Sequence, residues 1–127
     1  MTKKAVRIDQ VLEEVRAGLL RRPGAAELPA LVERGALIVD IRPVELRSRD
    51  GELPAAVVIG RNVLEWRLDP TSPDRIPEAT DLEREIVLVC NEGYASSIAA
   101  ASLQRLGLHR ATDLDGGYQA VLTHRLR

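Results

Sequence analysis

The chain has 127 residues, 18 of them basic and 19 acidic for a formal net charge of −1, with 45% hydrophobic and 2% aromatic residues. That length fits one domain with an aliphatic core and excludes a largely disordered chain, while the near-neutral charge and the few rings (Trp66, Tyr94, Tyr118) speak against a nucleic-acid partner. The single cysteine, Cys90, excludes an internal disulfide scaffold and a cysteine-rich zinc module, and the two histidines add no recognisable metal spacing, so no metal is expected.

The stretch from Met1 to Gln10 is charged and leads into no long apolar run, unlike a secretory signal. Apolar runs elsewhere, such as Leu53 to Gly60, fall far short of the roughly 20 residues that cross a bilayer. The expectation is a cytoplasmic protein with no membrane partner, in a compartment where a lone thiol stays reduced. Val11, Leu12, Val15 and Leu19 recur at helical spacing, predicting a helix over Asp9 to Arg22 that Pro23-Gly24 stops. Acids early and arginines late suit its dipole, and its one apolar stripe suits covering the sheet or an edge. Residues 1–24 are read as a helical extension and residues 25–127 as the main domain, together one compact unit.

Leu28, Leu31 and Val32 predict a short helix from Ala26 to Arg34. Ala36 to Asp40 is a continuous apolar run ending in a carboxylate, as expected of a strand buried on both faces. A polar helix over Pro43 to Arg49, a turn at Asp50-Gly51 and a strand over Ala56 to Ile59 follow. Trp66, the sole tryptophan, is expected as a packing anchor, and Asp69 to Asp81 as a loop. Glu85 to Cys90 is the clearest strand. Ser96 or Ser97 can cap a helix over Ile98 to Leu106, with Gly107 beyond its C-terminus. A strand over Ala111 to Leu114, a turn at Gly116-Gly117 and a helix over Tyr118 to Arg125 complete the chain. This alternation predicts an α/β fold with a mostly parallel sheet and helices on both faces.

Cys90 stands at the carboxyl end of a predicted buried strand, where ligands gather in open α/β sheets. A lone cysteine is commonly a small buried hydrophobe. Its context points elsewhere: Asn91-Glu-Gly-Tyr-Ala95 curls toward a helix start, and such a loop can aim successive N–H groups and a helix dipole at one sulfur. That nest favours the thiolate, and equally an anionic persulfide.

These residues resemble the rhodanese-like domains, a family of single-domain sulfurtransferases. Cys90-Asn-Glu-Gly-Tyr-Ala-Ser96 resembles the family's active-site loop, and Ile38-Val-Asp-Ile-Arg42 its Asp-x-Arg strand. Gly51-Glu-Leu-Pro-Ala55 resembles its Gly-His-Ile-Pro-Gly turn, with Glu52 and Ala55 as departures, and Leu114-Asp-Gly-Gly117 its Gly-Gly turn. The resemblance implies a three-layer α/β fold and a Cys90 nucleophile that takes sulfane sulfur from thiosulfate or a persulfide and passes it to cyanide or a thiol. Asn91, Glu92, Gly93, Tyr94, Ala95 and Ser96 would hold the persulfide, with no cofactor beyond that covalent sulfur. Asp40 and Arg42 would support the site, and Arg61 or Arg67 could supply anion-binding charge from neighbouring loops. The implied partners are a small-molecule donor and acceptor or a partner-protein persulfide, with the chain a monomer or homodimer.

Glu92 stands where thiosulfate-favouring loops often carry a base, which predicts weak thiosulfate activity. A cysteine phosphatase needs an arginine six residues after the nucleophile, and Ser96 is there instead. A Cys–His hydrolase would need His109 or His124, both read as surface residues. The remaining alternative is a non-catalytic rhodanese-like binding or regulatory module.

Overall fold

The computed structural model describes residues 4–19 and 21–126. Leu37–Asp40 (β1) and Ile86–Val89 (β3) are buried at every position, as strands sheathed on both faces must be. Val57–Val58 (β2) and Ala111–Asp113 (β4) flank them, giving a four-stranded sheet in the order β2-β1-β3-β4 with every pairing parallel. Successive side chains alternate between faces. Leu37, Val39, Ile86 and Leu88 join Leu64, Leu68, Ala99, Ala100 and Leu103 on one side. Ile38, Val87 and Val89 join Leu31, Leu53, Leu114, Tyr118 and Val121 on the other.

The first of these faces is covered by Leu64–Leu68 (α4) and Ala95–Arg105 (α5), the second by Leu28–Glu33 (α2) and Gly117–Arg125 (α6). Val44–Asp50 (α3) follows β1 and buries none of its residues. The expected three-layer α/β architecture with a parallel sheet is therefore present. Asp40 of β1 pairs with Val89 of β3, and Leu88 of β3 with Asp113 of β4. The carboxyl ends of the three strands thus finish nearly level, and Cys90 follows β3 at that edge.

Four local expectations need correction. The first helix, Ile8–Gly18 (α1), ends four residues before Arg22, and Leu19 is already extended. It buries no residue of its own and lies along α5 rather than on the sheet or its edge. Residues 61–68, given no helix by the sequence, form a 3₁₀ turn at Arg61–Val63 and then α4. Trp66 is no packing anchor: α4 buries Leu64 and Leu68, one turn apart, which turns Trp66 outward at 60% exposure. Finally, α5 starts at Ala95, with Tyr94 as its cap residue and no side-chain cap. Ser96 and Ser97 therefore lie inside the first turn, with their hydroxyls free to bond elsewhere.

Candidate active site

Cys90 follows β3 and is buried, at 7% exposure. Its Sγ accepts a hydrogen bond from the Gly93 N–H at 3.1 Å and from the Ser96 N–H at 3.4 Å. The Ser96 donor is a first-turn N–H of α5, one of those a helix leaves without an internal partner. The thiol in turn donates to Ser96 Oγ at 3.1 Å, and Ser96 Oγ donates to Asp113 Oδ2 at 2.6 Å. Two backbone donors and one hydroxyl oxygen thus converge on a single sulfur.

The loop keeps this form because its carbonyls are tied on the outside. The first free N–H groups of α6 supply two of these ties: Tyr118 N–H donates to the Cys90 carbonyl at 2.8 Å, and Gln119 N–H to the Asn91 carbonyl at 3.0 Å. Close backbone approach makes that docking possible. Gly93 has φ +86, and a Cβ there would lie 2.8 Å from the Gly116 nitrogen. The Gln119 side-chain amide also donates hydrogen bonds from Nε2 to Asn91 Oδ1 at 3.0 Å and to Asp50 Oδ2 at 2.9 Å. A hydrogen bond from Arg49 holds the Asp50 carboxyl below its usual range.

Asp40 and Arg42 stand one layer back. Their side chains are wholly buried, joined by Arg42 Nη2 to Asp40 Oδ2 at 2.8 Å and by Nε to both oxygens. Arg42 also donates to the Gly51 carbonyl at 2.9 Å, and its guanidinium lies 3.7 Å from the centre of the Tyr118 ring. The pair thereby seats the residue whose N–H holds the Cys90 carbonyl. Arg61 is instead engaged with Glu65 at 2.9 Å, and Arg67 with the Asp74 carbonyl at 3.2 Å. His109 pairs with Glu83 at the surface, and His124 is exposed.

Three residues at the loop were not expected from the sequence. Asp113, fully buried at the end of β4, accepts from Ser96, from Ser97 at 2.8 Å and from Arg22 Nε at 2.7 Å. Arg22 also donates from Nη2 to the Gly93 carbonyl at 3.1 Å. Arg16 of α1 donates to that same carbonyl at 2.6 Å and to Ser97 Oγ at 3.1 Å. The Arg22 guanidinium is held above its ordinary value, chiefly by the hydrogen bond to Asp113, and the charge of a Cys90 thiolate acts in the same direction. The Asp113 signal was readable in principle, since an acid inside an otherwise buried strand calls for a cationic partner. The partner's position was not readable, being 91 residues away.

A parallel α/β sheet whose strand-end thiol accepts two N–H groups of the loop that follows it defines a single-cysteine α/β domain. The chain belongs to the rhodanese-like domain family, whose model matches residues 24–124. Thiosulfate sulfurtransferase GlpE of Pseudomonas fluorescens is 33% identical over 90 residues, which are 71% of this chain and 73% of that protein. Among solved structures, RPA3614 of Rhodopseudomonas palustris, a protein of unknown function described as a possible tyrosine phosphatase, matches with a TM-score of 0.83 at 29% identity, covering 98% of this chain and 96% of that one. The human single-domain sulfurtransferase TSTD1 matches with a TM-score of 0.65 at 25% identity, covering 82% of this chain and 96% of its own. Among the described residues, no helix is long and apolar enough to cross a membrane.

Proposed function

We propose that the chain is a sulfurtransferase that carries sulfane sulfur as a persulfide on Cys90. The observation that carries this reading is the pair of N–H groups, from Gly93 and Ser96, directed at one buried Sγ. In the first half-reaction the Cys90 thiolate attacks the outer sulfur of the donor. The donor's sulfur–sulfur bond breaks, and its electron pair leaves with sulfite or a thiolate. In the second, a thiol or cyanide attacks the outer sulfur of the persulfide and Cys90 departs as thiolate. No oxidant, metal or cofactor is needed. The cradle that holds a thiolate serves an anionic persulfide for the same electrostatic reason.

Glu92 is exposed at the rim of the loop, where a carboxylate repels a dianion. Thiosulfate is accordingly a weak donor in this reading, and a small-molecule or protein persulfide in the cytoplasm the better one. A phosphatase activity of the kind suggested for RPA3614 is disfavoured by Ser96, which occupies the clamping position and gives its hydroxyl to Asp113.

The test is mass spectrometry of the intact protein after incubation with a sulfane donor. Wild type should gain about 32 Da, reversibly with a thiol, and Cys90→Ser should not. No gain from thiosulfate, glutathione persulfide or polysulfide would overturn the proposal in favour of a binding module. Hydrolysis of p-nitrophenyl phosphate that depends on Cys90 would overturn it in favour of a phosphatase.

A further inference from the structure

Arg16 and Arg22 both precede residue 24, where the family match begins, yet both reach the core of the site. Their bonds close a ring. From the Gly93 carbonyl it runs through Arg16 at 2.6 Å to Ser97 Oγ at 3.1 Å, then to Asp113 Oδ2 at 2.8 Å. Arg22 bonds both oxygens of Asp113, at 2.7 and 3.2 Å, and returns to the Gly93 carbonyl at 3.1 Å. Ser96 joins this ring to the sulfur through Asp113. Gly93 is therefore gripped from two sides: its carbonyl is held outward by two guanidinia while its N–H faces Cys90 Sγ. Gly93 has no side chain to restrict its backbone at φ +86, so external partners fix that orientation.

We propose that the segment ahead of the family module completes the sulfur-binding loop, with Arg16 and Arg22 as positioning residues that hold Gly93 in the orientation presenting its N–H to Cys90. Arginine suits the task because each guanidinium must bond two differently placed acceptors at once, which a lysine ammonium does without a fixed angle. The RPA3614 structure covers 98% of this chain, so its fold includes the counterpart of this segment, whereas TSTD1 covers 82%. Arg16 also lies 5.8 Å from the Tyr94 ring, a second contact between α1 and the loop.

The inference rests on Cys90 as the reacting sulfur, and its test needs no sulfur donor. Iodoacetamide alkylates the thiolate, so its second-order rate at pH 7 reports how well the loop stabilises that anion. In the full chain, Arg16→Ala leaves the Gly93 N–H in place but less well aimed, and is expected to slow alkylation about tenfold, below the roughly 100- to 1000-fold lost when a donor to a developing anion is removed outright. Arg22→Met is best made with Asp113→Asn, which leaves no lone buried charge, and the pair should slow it at least as much. Arg16→Lys keeps the charge and should recover little of the rate. The control Arg21→Ala removes only the exposed pair with Glu27 and should match wild type. Wild-type rates in Arg16→Ala, or full recovery in Arg16→Lys, would overturn the proposal. If the paired variant fails to fold, Arg16→Ala decides alone, since Arg16 neutralises no buried carboxylate. Should wild-type Cys90 alkylate rapidly yet accept sulfur from no donor, the sulfurtransferase reading falls while the positioning role stands.

Discussion

The contact between α6 and the cysteine loop can be tested by one methyl group. Gly117 has φ +61, and a Cβ there would lie 2.6 Å from the Cys90 carbonyl oxygen, 2.7 Å from the Gly93 nitrogen and 2.8 Å from the Asn91 carbonyl carbon. All three are backbone atoms of the loop, so none can swing aside as a side chain would. Gly35 provides the internal reference, with φ +87 and nothing within 4 Å of its Cβ position. Gly35→Ala should cost only the left-handed backbone term, about 1–2 kcal/mol. Gly117→Ala adds an overpacking term of about 1–3 kcal/mol, for about 2–5 kcal/mol in all. At roughly 4 °C per kcal/mol for a chain of this size, the two melting temperatures should separate by about 4–12 °C. The displaced loop must also stretch the hydrogen bonds from the Tyr118 and Gln119 N–H groups, now 2.8 and 3.0 Å, that tie it to α6. Cys90 alkylation should therefore slow in Gly117→Ala and remain unchanged in Gly35→Ala. Equal urea midpoints for the two variants, with wild-type alkylation in both, would refute the close-approach argument.

Arg42→Met should destabilise by about 3–5 kcal/mol, because it strands the fully buried Asp40 carboxylate, and adding Asp40→Asn should restore most of the loss in urea unfolding. Burial pushes Glu65 up, but bonds from Ser102 and the charge of Arg61 outweigh it and hold the carboxyl below its ordinary 4.5. A depressed folded value means that stability is present above about pH 4.5 and fades as pH falls through the lower folded value; Glu65→Gln should remove that part of the acid slope in melts taken below about pH 4.5.

The parts of the fold that were legible are those whose signal is local. β1 and β3 announce themselves as unbroken apolar runs, since both faces of each strand are buried. The Cys90 loop was legible for a related reason: a glycine-bearing turn from strand to helix is written in consecutive residues. The short α4 was missed because five residues, preceded by a 3₁₀ turn, show too little period to stand out beside a proline-rich loop. Ser96 and Ser97 looked like helix caps because that is the commonest local use of a serine before an apolar run. Their true acceptor, Asp113, lies 17 and 16 residues on, and a distant buried carboxylate outcompetes the local backbone. Arg16 and Arg22 were hidden in the same way. Arg22, late in a predicted helix, reads as a partner of the dipole, and nothing local distinguishes an arginine that leaves the helix to meet β4. Arg16, in the middle of that helix, finds its partners 77 and 81 residues away.

Three separate stretches of chain hold the outside of the Cys90 loop. Gly93 is bound by the N-terminal segment, and Cys90 and Asn91 by the start of α6; Gln119 links Asn91 to Asp50 at the end of α3. Such a loop gains its donors before any substrate arrives, and preorganisation is what makes N–H groups effective against a developing anion. It also confines the chemistry. Cys90 is buried, at 7% exposure, and the chain contains no second cysteine. On the proposed reading, a sulfur received at Cys90 has no resolving thiol within the molecule and must leave to an acceptor that reaches into the mouth of the loop. Glu92 and Tyr94 are the exposed side chains nearest in sequence to Gly93, on that same loop, so on this reading an acceptor that carries a positive charge is better matched to the loop than an anionic one.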